Sequence, residues 1–354
     1  MTGQESRPWM TVLIATYNSA RFLPQIAEML SSQTKPDGEG DLEILAVDGG
    51  STDGTRQIAQ SLGFRVIENP RGDAIAAKHL GLRHATSRLV CVLDHDEVLL
   101  REDSLALRFE AFRRIPELRA VISAGYRFEE MDSAVNMYAS EFGDPFSMVT
   151  YRCPNNEKFR LEVFKKRLQK TFSDEELFVF RAGSENRPIL CEMAAGSGTV
   201  DIDFFRESHP EIFTDVNVFP HAYYLLGDYD LIGMLAGDAI HHESAEQWSV
   251  VRAKISWRVN NAVNATKISG SGFSGRAHTE LYSPLRHALR FAAYAVLVLP
   301  PLFDSIRLAV GRRRLGYLMH FPLTYFVLRE AIRLRAANLF GSSAGVSRYG
   351  EKDG

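Results

Sequence analysis

The sequence predicts an α/β fold: a mostly parallel sheet with helices on both faces, followed by a C-terminal helical region. Three observations carry this. Apolar runs alternate with stretches of helical periodicity through the first hundred residues. The runs are almost continuously apolar, as in strands buried on both faces rather than one. The composition then breaks: from Ser283 to Phe340 nine arginines and no lysine stand against Asp304 and Glu330, so this stretch carries +7 while the whole chain carries −3. A break that sharp marks a second region, and the division is expected at 1–245 and 246–354.

Each element follows in order. Met10–Thr16, "MTVLIAT", reads as a strand. Phe22, Leu23, Ile26, Met29 and Leu30 then fall at helical spacing, with Asn18 or Ser19 available as a cap. Leu42–Val47 is a second strand, "STDGTRQIAQSLG" a capped helix ending at glycine, and Phe64–Ile67 a short third strand. "DAIAAKHLGLRHA" is helical, and "LVCVL", from Leu89, is the fourth strand. Beyond it, "FGDPFSMVTYR" reads as a loop and "NEKFRLEVFKKRLQK" as a charged surface segment. "CEMAAGSGTVDIDFF" carries a glycine-rich loop, and Asp215–His242 reads as a helix followed by a strand ending in two histidines.

Composition narrows the partners. With 354 residues, 45% hydrophobic and 24% charged, the chain can build one large core or two ordinary ones. The small net charge predicts no nucleic-acid partner. Cys91, Cys153 and Cys191 are too few and too scattered for a disulfide framework or a zinc cluster. The N-terminal "MTGQESRPWM" lacks a cationic start followed by an apolar stretch, so the sheet region is expected to face a reducing, cytoplasmic compartment.

In an open parallel sheet, ligands bind at the carboxyl ends of the strands. Thr16–Asn18, Asp48–Thr55 and Asp94–Asp96 fall there. If the segment is extended, Asp94 and Asp96 point to one side and both reach one hard cation, which takes oxygen ligands and can bridge to a diphosphate. The plainer alternative is a solvated strand end with Asp96 capping the next helix. "VDGGSTDGT" allows a tight turn and close approach of a ligand to backbone. The chain lacks G-x-G-x-x-G after its first strand and lacks G-x-x-x-x-G-K-[ST], which weighs against dinucleotide and phosphate-loop folds.

"TVLIATYNSARFL", "EILAVDGGSTDGT" and "LVCVLDHDE" resemble, in order and spacing, the N-terminal half of family-two glycosyltransferases. The likeness is strong over about residues 10–100 and looser to about 245. It implies a GT-A fold, a nucleotide-sugar donor and a divalent metal, manganese or magnesium. By resemblance Thr16, Tyr17 and Asn18 line the nucleotide pocket, Asp48 contacts the base, and Arg71 and Gly72 lie near the nucleotide or its phosphates. Asp94 and His95 meet the donor; Asp94 and Asp96 hold metal and diphosphate. The family often has a second acid where Gly49 stands and an asparagine where Lys78 or His79 stands. Inverting members carry a catalytic acid after the acceptor loop, and Asp215 in "HPEIFTDVNVFPHAYYLL" fits it, although Thr214 replaces the usual paired acid. That acid would take a proton from an acceptor hydroxyl; its plainer role is a helix cap. Related enzymes place a histidine near the diphosphate or metal where His241 and His242 stand. The loop Ala194–Thr199, with Gly196, Ser197 and Gly198, is the expected acceptor loop.

In the arginine-rich tail, Phe291–Phe303 and Leu315–Leu328 are uncharged, mostly apolar and too short to span a bilayer. Flanking arginines and aromatic residues fit helices in a membrane interface; the alternative is a pair of core helices. The sequence thus leads to an inverting, metal-dependent transferase that moves a sugar, UDP-linked by default, to a lipid-linked or other glycan acceptor at the cytoplasmic face of a membrane. Its rivals are a sugar-phosphate nucleotidyltransferase and a non-catalytic sugar-nucleotide sensor.

Overall fold

The computed structural model describes residues 7–130, 132–181, 197–214, 231–242, 248–264 and 284–340. The chain divides into two compact units, residues 1–127 with 161–243, and residues 128–160 with 244–354.

In the first unit, β1 (Met10–Thr16), β2 (Leu42–Asp48), β3 (Arg65–Glu68) and β4 (Leu89–Asp94) pair in parallel in the order β3-β2-β1-β4. Their separators are α1 (Leu23–Ser31), α2 (Thr55–Ser61) and α3 (Ala74–His84). The apolar runs form strands because both faces are covered: β1 is buried along its whole length. Helix α3 packs close on the sheet at Gly81, where an added Cβ would lie 2.0 Å from a Leu13 methyl carbon.

Beyond β4 come β5 (Glu97–Leu99), α4 (Ser104–Arg114), β6 (Leu118–Ile122), β7 (Gly125–Tyr126), β8 (Gln169–Ser173), β9 (Leu177–Arg181), β10 (Thr199–Asp201), β11 (Leu231–Leu235) and β12 (Ala239–His242). Among the described residues the large sheet runs β3-β2-β1-β4-β10-β6-β11-β9-β8. Following the pairings across, only β10 and β9 oppose the common direction. This is the expected mostly parallel α/β sheet. A second, three-stranded sheet, β5-β12-β7, stands beside the end of β4.

The second unit is helical. Its elements are α5 (Ala134–Phe142), α6 (Pro145–Tyr151), α8 (Trp248–Asn264), α9 (Pro284–Val296), α10 (Leu299–Arg312), a 3-10 turn (Leu315–Met319) and α11 (His320–Leu339), and α7 (Glu157–Arg167) bridges the division between the units. The expected loop "FGDPFSMVTYR" is therefore mostly helix. Asp144 caps it, accepting from the Ser147 N–H at 2.8 Å, and Pro145 takes the first helical position. The expected surface segment around residues 156–170 is a helix too, with Arg160 and Phe164 buried.

Residues 128–160 cluster with the C-terminal helices rather than with the sheet, because they share a core and a set of buried polar pairs. Met137, Phe142 and Met148 join Ile255, Tyr317, Leu323 and Val327 in one apolar cluster. Inside it, Glu141 accepts from Arg312 Nε at 2.9 Å and from the Tyr317 hydroxyl, while Arg312 stacks 3.4 Å over the Phe159 ring. His320 sits between the hydroxyls of Tyr138 (2.6 Å) and Tyr294 (2.8 Å). The segment Leu315–Leu328, expected at a membrane interface, thus supplies core: Tyr317, His320, Leu323, Thr324 and Val327 are all buried.

Candidate active site

The carboxyl ends of β1, β2 and β4 present the predicted residues. At the end of β1, Thr16 is buried and Tyr17 exposed. Asn18 takes a left-handed conformation (φ 48°), which a short polar side chain tolerates. Its N–H donates to Ser51 Oγ at 2.8 Å and its Oδ1 accepts from the Thr52 N–H at 2.9 Å, so the turns after β1 and β2 are tied together.

Asp48 ends β2 and is fully buried. Its oxygens accept from the N–H groups of Gly50 (3.1 Å) and Ser51 (3.0 Å), from the Ser51 and Thr16 hydroxyls, and from Arg56 Nε at 2.6 Å. Burial works against its ionisation, but the Ser51 and Arg56 hydrogen bonds outweigh it and hold the carboxyl below its ordinary range. As folded, Asp48 organises its own turn. Gly49 lies against the neighbouring turn: a Cβ there would sit 3.0 Å from the Gly72 carbonyl oxygen, so a second acid would need Gly72 to shift. Gly72 itself has φ +71°, and the half-exposed Arg71 pairs with Asp73 at 3.2 Å.

The turn after β4 is built differently. Strand β4 stops at Asp94, and His95 and Asp96 form a turn before β5. Asp94 and Asp96 therefore do not project side by side from one extended strand, contrary to the expectation from strand alternation. Asp94 Oδ1 pairs with Lys78 Nζ of α3 at 2.8 Å, whereas Asp96 Oδ2 lies 2.9 Å from His242 Nε2. Both carboxylates keep some solvent exposure, and His95 packs against the Phe22 ring at 5.2 Å.

The antiparallel pairing of β12 with β5 sets His242 opposite Glu97 and His241 opposite Val98. Successive strand residues point to opposite faces, which separates the two histidines: His242 reaches Asp96, while His241 Nδ1 lies 3.3 Å from the Arg127 carbonyl oxygen. Glu97 is buried beneath this turn. It accepts from the Tyr126 hydroxyl at 2.6 Å and from the Asp94 N–H at 3.0 Å. Burial, with the Asp94 charge added, pushes its carboxyl up to about 7. Lys78 and Glu97 are the two site residues that motif reading missed. Glu97 carried a signal, since it directly follows D-x-D; Lys78 carried one only as a departure, standing with His79 where the family often has an asparagine.

The end of the glycine-rich loop is fixed by a buried network. Arg108 of α4 is fully buried and gives its Nε and Nη2 to Asp238 at 3.1 and 2.7 Å. The same guanidinium donates to the Ser197 carbonyl and, at 2.9 Å, to Ser197 Oγ. Ser197 is held at φ 57°, and the Gly198 carbonyl accepts from the Val92 N–H of β4 at 2.9 Å. Gly196 and Asp215 lie outside the described residues.

Among the described residues no group of three or more His, Cys, Asp or Glu can hold a metal ion. Asp96 and His242 make a pair. An oxygen and an imidazole nitrogen 2.9 Å apart suit adjacent positions on one divalent ion. An ion that takes one or two protein ligands and completes its shell with substrate phosphates and water fits this set.

Residues 11–181 match the family described as Glycosyl transferase family 2. This stretch is a family 2 glycosyltransferase domain. It contains β1 through β9, with Asp48, Lys78 and the Asp94–Glu97 turn. Curated relatives include Glycosyltransferase AglE of Haloferax volcanii, 30% identical over 95 residues that cover 25% of this chain and 31% of the relative. A PGL/p-HBAD biosynthesis glycosyltransferase of Mycobacterium bovis is 36% identical over 111 residues, 30% of this chain and 41% of the relative. The chain thus spans less than half the length of the curated relatives it matches. Among solved structures, it is similar to the mannosyltransferase PcManGT from Pyrobaculum calidifontis in complex with GDP-Man and Mn2+, at TM-score 0.49 and 17% identity, covering 94% of this chain and 88% of that one.

Proposed function

We propose that the protein is an inverting glycosyltransferase that moves a sugar from a nucleotide-sugar donor, UDP-linked by default, to a lipid-linked acceptor at the cytoplasmic face of a membrane, with a divalent cation, manganese or magnesium. The observation that carries this reading is the convergence of Asp96 and His242, 2.9 Å apart, beside the Lys78–Asp94 pair at the end of β4 in a family 2 domain.

Asp96 and His242 would hold the cation. When bound, it supplies positive charge against the donor diphosphate as that group departs. The chain's own residues do the rest. Lys78 places an ammonium group beside Asp94, so the donor side of the site is not uniformly anionic. Glu97, fixed by Tyr126 and the Asp94 N–H, sets the path of the turn that carries Asp94 and Asp96. Thr16–Asn18 and Ser51–Thr52, joined across the β1 and β2 ends, form a rigid platform where a nucleotide would lie. Arg108 holds the Ser197–Gly198 end of the acceptor loop against β4. Asp215 is assigned to take a proton from an acceptor hydroxyl; a lipid phosphate acceptor is already ionised, and Asp215 would then orient it.

The test is a donor-hydrolysis screen across UDP-, GDP- and dTDP-sugars with manganese or magnesium. One nucleotide class should be hydrolysed, and excess chelator should stop it. Donor binding without turnover, even with crude lipid acceptor present, would instead identify a sugar-nucleotide sensor.

A further inference from the structure

The second unit carries an apolar surface that its own core does not use. Helix α9 buries Phe291, Tyr294 and Ala295, yet Leu285, Leu289 and Val296, at i, i+4 and i+11, stand exposed on another face. Helix α10 buries Pro301, Leu308 and Ala309, and exposes Leu299, Phe303, Ile306 and Val310, at i, i+4, i+7 and i+11. A helix packed against a core in water normally carries polar residues on its outer face. Here both outer faces are apolar stripes, with Val296 at 71%, Leu299 at 73%, Phe303 at 67% and Val310 at 72% exposure.

The two stripes meet at a sharp turn. The helices bend by 84° across it, and the Leu299 N–H donates to the Leu297 carbonyl at 2.6 Å around Val298. Val298 has φ +61° and ψ −50°, a γ-turn of the strained, positive-φ kind and an outlier for a β-branched residue. The turn leaves Val296, Leu297, Val298 and Leu299 exposed in succession. Strain of this kind persists where the surroundings impose it and gathers at functional places.

Charge identifies the occupant. Arg286 and Arg290 on α9, and Arg307 and Arg313 on and after α10, are exposed. The acid on α10, Asp304, pairs with Arg307 and accepts from the Tyr294 hydroxyl. No described helix is long and apolar enough to cross a membrane alone, whereas an amphipathic helix with basic flanks lies in the plane of an anionic bilayer surface.

We propose that the turn at Leu297–Leu299, with the two apolar stripes leading into it, enters the boundary between headgroups and acyl chains of an anionic bilayer, Arg286, Arg290, Arg307 and Arg313 meeting the headgroups. This deepens the membrane-face part of the reading above and names the surface that performs it.

The experiment uses the full chain and vesicles of phosphatidylcholine alone or mixed with phosphatidylglycerol, read by co-sedimentation. The protein should bind the mixed vesicles. Leu297→Asp and Phe303→Asp should each lower partitioning by about tenfold to a hundredfold, the effect of removing one large apolar side chain from the buried set. Arg286→Gln with Arg290→Gln should weaken binding at low salt more than at high salt. In Leu297→Trp, emission should shift to the blue on adding mixed vesicles. These positions are exposed, so circular dichroism of the variants should match the parent. Failure to bind either vesicle, parent-like binding by both aspartate variants, or a dimer that Leu297→Asp separates would overturn the proposal. Donor hydrolysis measured on the same samples reads the transferase separately: hydrolysis without vesicle binding removes only the membrane surface, and vesicle binding without hydrolysis removes only the transferase.

Discussion

The turn after β2 and the turn after β4 both end a buried strand on a carboxylate, and they use it in opposite ways. Asp48 is closed: two backbone N–H groups, two hydroxyls and Arg56 take its oxygens, and none of it reaches solvent. Asp94 and Asp96 are open: Asp94 pairs with Lys78, Asp96 pairs with His242, and each keeps part of its surface in water. A carboxylate surrounded by its own chain holds the backbone in shape. A carboxylate that keeps part of its surface in water can accept something more. The same distinction separates Arg108 and His320, sealed in their cores, from Lys78 at the site. Loss of a sealed group should therefore cost stability, and loss of an open one should cost turnover.

The largest effect is expected at Arg108. Arg108→Met leaves Asp238 buried without its cation, and breaking a buried pair costs about 3–5 kcal/mol; chemical denaturation should detect this as a lower midpoint, with donor binding lost only as the protein unfolds. Unchanged stability would break the comparison on its sealed side.

Acid should expose the second sealed group. Burial drives the His320 pKa down to about 4, with Asp304 opposing and Arg307 assisting. The neutral ring is the folded form, hydrogen-bonded between Tyr138 and Tyr294. Its contribution is complete above the unfolded value near 6.5 and is lost as pH falls from there to about 4, a total of about 3 kcal/mol. Unfolding free energy measured across that window should fall with acid, and His320→Phe should flatten the slope even though it lowers the starting stability.

A smaller loss is expected at Asp48. Asp48→Asn keeps the shape but weakens charge-assisted bonds, at about 1.5–3 kcal/mol of stability. Donor affinity in the folded variant should follow the disturbance of the Val47–Thr55 turn. If stability holds and donor affinity alone collapses, Asp48 belongs with the open carboxylates as a base contact.

The smallest effect is expected at Lys78. Lys78→Met should weaken donor binding about tenfold, the size of one charge-assisted hydrogen bond, and leave the melting temperature near its parent value. Calorimetric titration with donor nucleotide reads this directly.

How far the sequence alone reached follows the range of each interaction. Strands β1, β2 and β4 were legible because burial forces apolar runs, the short edge strand β3, with no buried residue, followed from its place in the alternation, and the three turns stood out as polar interruptions. The pairing of Asp96 with His242 was not legible as geometry. It depends on β5 joining β12 across most of the first unit, and only that register decides that His242 rather than His241 faces the turn. Helix α6 was misread because the apolar and aromatic residues after Asp144–Pro145 obscured a good cap. The membrane expectation rested on two apolar segments of similar length. The fold separates them: Tyr317, His320 and Leu323 turn inward, whereas Val296 to Phe303 offer most of their apolar side chains to the outside.

The open side of the comparison rests on Asp96. The most direct measurement is donor-nucleotide binding and turnover by Asp96→Asn with and without manganese or magnesium. The substitution should remove most of the divalent-dependent gain in donor binding, lower turnover by about 10²-fold or more, and leave the unfolding midpoint close to that of the parent. Full turnover by Asp96→Asn, or undiminished turnover by the parent in excess chelator, would contradict that expectation.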